Sequence, residues 1–305
     1  MPMSTDTALA EIRQDNRSGA TRLTERAGQA LLTWLAAIPA EQSLGKAQQN
    51  LSRFTRELAK AKPAMASMRN LANQALLASE LVGSPAELRR HVAQTVQRYI
   101  QQLGESTDLI AAQAARLIRP GATVMTISYS SVVLATFKRA LSAGKHFRVI
   151  CPESRPICEG RVLAQELARL GLRAELVADA AAPALVSRSE LLLLGGDALA
   201  PEGLVNKIGS YPLALAAQAA QRPVIALVSR QKYLPLFRRA WLPQEPPQEL
   251  WPEGEMPAKL TILNSYFEPV PLALLGQVIS EAGALAPEQL LGRLQALRLL
   301  PILAA

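Results

Sequence analysis

Four short clusters between Thr126 and Ser210 decide the fold: TISYSS (126–131), ESRPICEG (153–160), GGD (195–197) and NKIGS (206–210). Each cluster falls where an apolar run of the sequence ends. In an open parallel sheet, the carboxyl ends of the strands line one crevice, and ligands bind there. We therefore expect the four clusters to meet at one edge of a sheet and to form a site for a small anionic ligand.

Apolar runs alternate with helical patterns around these clusters. Strands are predicted at Thr123–Ile127, Phe147–Cys151, Ala174–Val177, Leu191–Leu194 and Val224–Val228. The segments between them have a helical period, at about residues 131–142, 159–170, 182–188 and 211–221. Short strands separated by helices predict β-α-β units, so the fold class is α/β with a mostly parallel sheet.

The part of the chain before this sheet is predicted to be helical. Apolar residues repeat with a 3.6-residue period from residue 20 to residue 38, and further helices are predicted at about 44–61 and 64–81. The sequence SPAE (84–87) predicts another helix start, with Ser as N-cap, Pro at the first position and Glu at the third. Pro120-Gly121 ends this part. We expect an N-terminal helical domain at residues 1–120 and a second domain at residues 121–305.

Two further predictions concern the C-terminal part. Five prolines between residues 236 and 258 predict a loop, and long loops in compact domains often act as lids or interface elements. A last pair of helices is predicted at residues 271–282 and 286–298.

The composition limits the classes of partner. The net charge is +8, but the basic residues are spread along the chain, and aromatic residues make up only 4%. Nucleic-acid-binding surfaces concentrate their basic residues and stack bases on aromatic side chains, so we expect no nucleic-acid partner. Cys151 and Cys158 make no disulfide framework. With two histidines and no Cys-x-x-Cys motif, we expect no metal site and no cofactor.

The first residues of the chain do not resemble a targeting signal. Met1–Glu11 contains two acidic residues and lacks the apolar segment of a signal peptide. An apolar run of 18 residues, which a membrane-spanning helix needs, does not occur. We therefore expect a cytoplasmic protein without a membrane partner.

The clusters after the first two strands have the chemistry of an anion site. Arg155 supplies a forked cation that suits phosphate or carboxylate, and Gly160 lies at a helix start whose N–H groups favour anions. The alternative is an ordinary loop in which Arg155 pairs with an acidic side chain. Ser130 and Ser131 combine hydroxyl groups with the N–H groups of another helix start. Simple N-capping by these serines would explain the same residues.

The two later clusters supply a carboxylate, an amide and a lysine. Asp197 follows a buried strand and two glycines that permit close approach of a ligand, so it is a candidate acid/base or hydroxyl-binding group. The alternative for Asp197 is a helix N-cap. Asn206 and Lys207 are predicted to lie in a backbone turn that presents both side chains to a ligand. The alternative for Lys207 is an ordinary surface lysine.

Several common sites are disfavoured. Neither Gly-x-Gly-x-x-Gly nor Gly-x-x-x-x-Gly-Lys follows a predicted strand, which disfavours dinucleotide and P-loop sites. His91 and His146 both lie outside the four clusters, so Ser-His-Asp hydrolysis has no base.

The order of these clusters resembles the family of the eukaryotic translation initiation factor 2B α, β and δ subunits. This family also contains methylthioribose-1-phosphate isomerase and ribose-1,5-bisphosphate isomerase. The resemblance spans nearly the whole chain and rests on these segments: SGA (18–20), KP (62–63), ESRP (153–156), EG (159–160), Asp179, GGD (195–197) and NKIG (206–209). QKY (231–233) and YFEP (266–269) resemble the α-type branch. The implied fold is a helical domain followed by a Rossmann-like domain, through which such proteins usually dimerise.

The resemblance also implies roles for single residues. The isomerases use an aspartate, matched by Asp197, and a cysteine, whose position is occupied by Ser128. A serine hydroxyl has a far higher pKa than a thiol, so Ser128 is a poor proton acceptor. The family pattern implies ligand contacts for Glu153 and Lys62, and for Gly19 with the nearby Arg17.

Two functions follow from this resemblance. The first is binding of a sugar phosphate or nucleotide, with a regulatory or weakly catalytic role. The second is aldose–ketose isomerisation of a pentose phosphate such as ribose-1,5-bisphosphate or methylthioribose-1-phosphate. The expected partners are a small phosphorylated ligand and further copies of the chain, joined through the C-terminal domain.

Overall fold

The N-terminal part of the chain is a bundle of helices. The computed structural model describes residues 5–16, 18–39, 41–251, 254 and 256–304. The five helices of the bundle are α1 (Thr5–Gln14), α2 (Ala20–Ala36), α3 (Leu44–Ala61), α4 (Ala66–Ala78) and α5 (Pro85–Ala114). Their apolar faces meet in one core that includes the fully buried Leu23, Leu51 and Met68. Ser84 caps α5 as predicted, with its hydroxyl accepting from the Glu87 N–H at 3.2 Å.

Strands and helices alternate after the bundle. Between residues 123 and 227 the strands and α-helices are, in chain order, β1 (Thr123–Met125), α6 (Ser131–Ser142), β2 (Arg148–Pro152), α7 (Glu159–Arg169), β3 (Arg173–Val177), α8 (Ala182–Leu185), β4 (Leu191–Leu194), β5 (Ala198–Ala200), β6 (Gly203–Lys207), α9 (Ser210–Ala219) and β7 (Val224–Leu227). The predicted α/β class and the five predicted strands are confirmed, with ends that agree to within two residues.

Three further strands follow: β8 (Phe267–Val270), β9 (Gln277–Ser280) and β10 (Gly283–Leu285). The main sheet has seven strands in the order β10-β9-β7-β4-β1-β2-β3, and β8 lies outside it. All pairs in it are parallel except β9 with β10. The central β4 is buried on both faces: Leu191 and Leu193 pack on one side, and Leu192 and Leu194 on the other. Burial on both faces explains why this strand is continuously apolar rather than alternating.

The prediction of a helix at residues 271–282 is wrong. This segment contains a single turn at Leu272–Leu274 and then β9, which pairs with β7 and turns back into β10. Val278 and Ile279 are buried in the two cores of the sheet. A short apolar run fits a strand as well as a buried helix, and pairing with β7 decides between them. The second predicted helix is present as α10 (Pro287–Gln295), and α11 (Pro301–Ala304) follows it.

A small antiparallel sheet, β5-β6-β8, lies beside the main sheet. Asn206 and Lys207 belong to β6, so the predicted backbone turn at these residues is wrong. β6 pairs with β8, and Lys207 is opposite Phe267 in that ladder. The segment at residues 236–258 has only short single turns in its described part, as the prolines predict. Among the described helices, none is long and apolar enough to cross a bilayer.

Candidate functional site

A cavity of about 630 Å³ lies between the helical bundle and the carboxyl ends of β1 and β4. Eight of the residues predicted to form a site line it: Gly19, Lys62, Ser128, Ser130, Ser131, Asp197, Asn206 and Lys207. They come from the bundle, the main sheet and the small sheet. The crevice expected from the sequence is thus present, and the helical bundle closes its other side.

Three helix N-termini meet at this cavity. Residues just before or within the first turns of α2, α4 and α6 line it. The N-cap residues of these helices are Gly19, Met65 and Ser130, and none receives a cap from a side chain in the described part of the chain. The N–H groups of a first helical turn lack partners within the helix and carry partial positive charge. The cavity is therefore suited to an anion.

The N-terminus of α6 is brought close by glycine. A Cβ atom on Gly195 would lie 2.4 Å from the Ser130 Oγ and 2.7 Å from the Ser130 Cβ. Any other residue at position 195 would therefore displace the start of α6. Ser128, two residues before Ser130, has a left-handed backbone with φ of 64°. Its N–H donates to the Ser154 hydroxyl at 2.9 Å, which fixes this turn at the end of β1.

Asp197 lies at the centre of the site, directly before β5. Its N–H donates to the Val205 carbonyl at 2.8 Å, and its carbonyl accepts the Ala66 N–H of α4 at 2.9 Å. These bonds join the sheet to the bundle at this residue. The alternative that Asp197 caps a helix is wrong, because a strand follows it.

Burial raises the pKa of the Asp197 carboxyl above its ordinary value; the nearby ammonium groups of Lys232 and Lys207 oppose the shift, and Glu159 adds to it. The Lys232 Nζ donates to the Gly196 carbonyl at 2.7 Å. Burial lowers the pKa of Lys232, and the Asp197 carboxylate opposes this. The pair can therefore exchange a proton more readily than an ordinary aspartate and lysine, as acid/base chemistry needs.

Lys207 is a buried lysine with a defined partner. Its side chain is 3% exposed, and its Nζ lies 3.0 Å from the Glu159 carboxylate. The Nζ also lies 5.0 Å from the centroid of the Tyr266 ring, within the range of a cation–π contact. The alternative of a surface lysine is wrong. The Asn206 amide nearby donates to the Ser210 hydroxyl at 2.9 Å.

The bundle contributes Lys62 on the opposite wall. Its Nζ donates to the Asn16 Oδ1 at 2.7 Å and to the Arg13 carbonyl at 3.0 Å. Burial lowers the pKa of Lys62, whereas Glu245 and Asp15 oppose the shift. The lysine is thus held at the wall by neutral oxygens, and a bound anion would bring it a charged partner.

Three residues predicted to contact the ligand lie outside the lining of this cavity: Glu153, Arg155 and Gly160. Arg155 is exposed, and its Nη2 donates to the Glu249 carbonyl at 3.3 Å, outside the cavity lining. Glu153 accepts from the Arg161 Nε at 2.9 Å rather than lying at the cavity. Gly160 permits close packing, because a Cβ there would lie 1.9 Å from the Pro152 carbonyl oxygen. Arg17 lies outside the described residues.

The lining residues that were not predicted include Glu159, Lys232, Glu245 and Tyr266. Glu159 and Lys232 occur in segments that carried the family resemblance, so a signal for them existed. Glu245 belongs to the proline-rich loop, which has no periodicity to place it. The Glu245 N–H donates to the Asn264 carbonyl at 2.8 Å, which holds the loop over the cavity.

The charges that line the cavity nearly balance. Five cationic side chains line it, Arg13, Lys60, Lys62, Lys207 and Lys232, against four acidic ones, Asp15, Glu159, Asp197 and Glu245. Burial raises the pKa of Glu245; Lys62 and Lys207 oppose this, and Glu249 adds to it. The Glu245 carboxylate accepts no hydrogen bond from the described residues.

The fold and cavity define an α/β protein with a Rossmann-like sheet and a crevice that is closed by a helical bundle. The chain belongs to the initiation factor 2 subunit family, whose model matches residues 16–287. This confirms the family resemblance predicted from the sequence.

Among known proteins, the chain is 28% identical to "Ribose 1,5-bisphosphate isomerase" of Archaeoglobus fulgidus over 286 residues, which cover 92% of this chain and 89% of the relative. It is also similar to the crystal structure of the Pyrococcus horikoshii translation initiation factor eIF-2B, with a TM-score of 0.80 and 25% identity over 95% of this chain and 99% of that one. The tetrameric eIF2B-beta2-delta2 complex from C. thermophilum shares the fold, with a TM-score of 0.71 and 20% identity over 94% of this chain and 92% of that one.

Proposed function

We propose that the protein binds a phosphorylated sugar in the cavity at Asp197. The observation that carries this proposal is the meeting of three helix N-termini, none with a side-chain cap among the described residues, with Lys62, Lys207 and Lys232. Helix N-termini bind phosphate through N–H groups and the helix dipole, without a large excess of cationic side chains. Asp197 and Asn206 offer oxygen and amide groups between these ends, where sugar hydroxyls would lie.

The first candidate function is ligand binding in regulation or assembly, without robust catalytic turnover. Ser128 supports it, because the position at which the isomerases of the family have a thiol carries a hydroxyl here. The Ser128 N–H is used in the bond to Ser154, and His91 and His146 do not line the cavity. Without a base beside it, the hydroxyl of Ser128 does not accept a proton near neutral pH.

A second candidate is aldose–ketose isomerisation of a pentose phosphate. It is favoured by the raised pKa of Asp197 next to Lys232, and by the named activity of the Archaeoglobus relative. In this reaction a proton leaves C2 of the open-chain sugar, and an enediol forms. A proton then returns at C1, so that no co-reactant is consumed. Asp197 would be the acid/base.

One experiment separates the two candidates. The purified protein is incubated with ribose-1,5-bisphosphate, with methylthioribose-1-phosphate and with a nucleotide, while ketose formation and the change in Tm are followed. We expect a rise in Tm with a sugar phosphate and little ketose. Asp197→Asn tests the role of the carboxyl, and Asp108→Asn, an exposed position on α5, is the matched control.

Each outcome has a defined meaning. Ketose formation that Asp197→Asn abolishes and Asp108→Asn retains would replace the binding role by isomerisation. A rise in Tm without ketose supports the binding role. If none of these compounds changes Tm or is converted, both candidates fail.

We further propose that copies of the chain associate through residues 121–305, the part that we propose as the second domain. The support is the Chaetomium neighbour, which is described as a tetrameric complex. Light scattering coupled to size-exclusion chromatography measures the mass directly, and a monomeric mass at micromolar concentration would contradict this proposal. A cytoplasmic location and the absence of nucleic-acid and membrane partners stay predictions.

A further inference from the structure

A second cavity, of about 640 Å³, lies on the other side of the turn that carries Lys232. Its walls are α4, α5, the hairpin of β9 and β10, and α10. Arg230, Gln231 and Tyr233 line this cavity, whereas Lys232 lines the first one. Neighbouring residues of one short turn therefore reach two different cavities.

Two buried polar side chains line the second cavity: the Oε1 of Gln231 lacks a hydrogen-bond partner among the described residues, and the Tyr233 hydroxyl interacts with the neighbouring Ser280 hydroxyl. Tyr233 is only 6% exposed. The nearby Ser280 hydroxyl donates to the Gly283 carbonyl and accepts from the Ala282 N–H, both at 3.2 Å. Burial raises the pKa of the Tyr233 phenol to about 12, so it remains a neutral donor. Unpaired buried polar groups are costly, and a ligand would satisfy them.

The rim of this cavity is cationic. Four arginines line it against one glutamate: Arg98, Arg230, Arg293 and Arg298, and Glu281. Glu281 pairs with the Arg230 Nε at 3.0 Å. Arg293, on α10, has no ion pair or hydrogen bond within the described part of the chain. Arg298 pairs with Glu80 outside the cavity at 3.1 Å, and the Arg98 Nε donates to the Gln94 carbonyl at 3.4 Å. The rim thus retains one guanidinium group, that of Arg293, for which the described residues supply no partner.

We propose that the second cavity binds a small phosphate monoester. Guanidinium groups reach it from several elements, and each offers paired N–H donors that match phosphate oxygens. Arg293 and the Tyr233 hydroxyl hold the phosphate. The amides of Gln74 and Gln102 on the helical wall bind the rest of the ligand.

The same geometry couples the two cavities. The Asn70 Nδ2 holds the turn by donating to the carbonyls of Gln231 and Tyr233, both at 2.8 Å. A ligand that contacts Gln231 and Tyr233 therefore acts on both neighbours of Lys232, whose ammonium lies beside Asp197. Binding at the second cavity changes the affinity of the first, and by linkage the effect is mutual. This coupling, unlike the second site itself, rests on the proposed function of the first cavity.

Isothermal titration tests the proposal with glycerol 2-phosphate and inorganic phosphate as probes and glycerol as the neutral control. We expect the wild-type chain to bind two equivalents of glycerol 2-phosphate. The double variant Arg293→Gln/Tyr233→Phe should bind one, and Lys62→Met should lose the other. Arg169→Gln, which removes an exposed arginine of α7 outside both cavities, should still bind two.

The variants separate failure at one cavity from failure at the other. The second site is overturned if the Arg293→Gln/Tyr233→Phe variant still binds two equivalents of glycerol 2-phosphate. It is also overturned if the wild type binds a single equivalent and only Lys62→Met abolishes that binding. Glycerol 2-phosphate competes with the sugar phosphate at the first cavity in both proteins, so coupling is measured as the difference between them: its effect on the sugar-phosphate affinity should differ by about five-fold or more between the wild type and the double variant. Equal dependence in both proteins would overturn the coupling.

Discussion

The buried pair of Lys207 and Glu159 gives the sharpest prediction for stability. The substitution Lys207→Met removes the ammonium but keeps most of the aliphatic length. Glu159, whose side chain is 19% exposed, is then left without the cation that lies 3.0 Å from it. Its Oε2 already lacks a hydrogen bond from the described residues, so no second donor replaces Lys207.

The magnitude follows from the separation and the burial. Two unit charges at 3.0 Å attract by about 5.5 kcal/mol at an effective dielectric constant of about 20. Much of this offsets desolvation, and breaking a buried pair on one side costs roughly 3–5 kcal/mol. Because Glu159 retains some access to water, we expect about 3 kcal/mol. At roughly 2–4 °C per kcal/mol, the Tm should fall by about 6 °C or more.

Guanidinium unfolding and thermal scans measure this loss, with two controls. Lys138 and Glu166 form a pair at 2.9 Å, but their side chains are 47% and 29% exposed. Lys138→Met should therefore cost less than about 1 kcal/mol. The double variant Lys207→Met/Glu159→Gln removes both charges and should recover most of the stability. A Lys207→Met protein as stable as Lys138→Met, or a double variant no better than the single one, would refute the reasoning.

Two further predictions concern the loop and the start of α6. The folded-state pKa of Glu245 lies above the ordinary 4.5, so the free energy of unfolding falls as pH rises from 4.5 through that raised value. The substitution Glu245→Gln removes this loss of stability, so it should raise the Tm at pH 7 but not at pH 4. In a titration, the variant should also bind sugar phosphate more tightly than the wild type. Gly195→Ala places a Cβ 2.4 Å from the Ser130 Oγ and should weaken sugar-phosphate binding through overpacking worth about 1–3 kcal/mol.

Matched variants check both expectations. Glu249→Ala removes a neighbouring carboxylate of the same loop that accepts from Asn264 at 2.8 Å and from the Tyr266 hydroxyl. Glu249→Ala should therefore lower the Tm at pH 7. If it raised the Tm, as Glu245→Gln is expected to do, the argument that the buried charge of Glu245 destabilises the protein would be contradicted. Gly104→Ala, in a helix with open space around the new Cβ, should leave binding unchanged and raise the Tm slightly.

Periodicity predicted the parallel part of the fold because there the sequence and the packing agree. Leu191–Leu194 is apolar at every position and is followed directly by Gly195-Gly196, a pattern typical of a strand buried on both faces. At residues 271–282 the sequence pattern does not determine the element that the packing requires. Val278 and Ile279 form a short apolar run that fits either element, and its structure depends on pairing with β7, a partner distant in sequence.

The same distinction applies to the site. Asp197 follows β4 of the parallel sheet, so its position at the crevice followed from the parallel topology. Asn206 and Lys207 end β6 of the small antiparallel sheet, which was not predicted from the sequence. Arg155 also follows a strand, but the direction of its side chain is set by the loop near Glu249, which no local pattern encodes. The burial of Lys207 could not be predicted from the sequence either, because it depends on contacts with Glu159 and Tyr266, which belong to other parts of the chain.

The ESRP cluster supports the cavity without lining it. Asp179 accepts the N–H groups of Ser154 and Arg155, both at 2.7 Å, and the Ser154 hydroxyl accepts the Ser128 N–H. The left-handed turn at Ser128 is therefore fixed by its backbone and not by its side chain. A thiol at this position would occupy the same place as the hydroxyl. The difference between a reacting and a binding pocket then reduces to the acidity of one group at residue 128, opposite an Asp197 whose raised pKa suits either role.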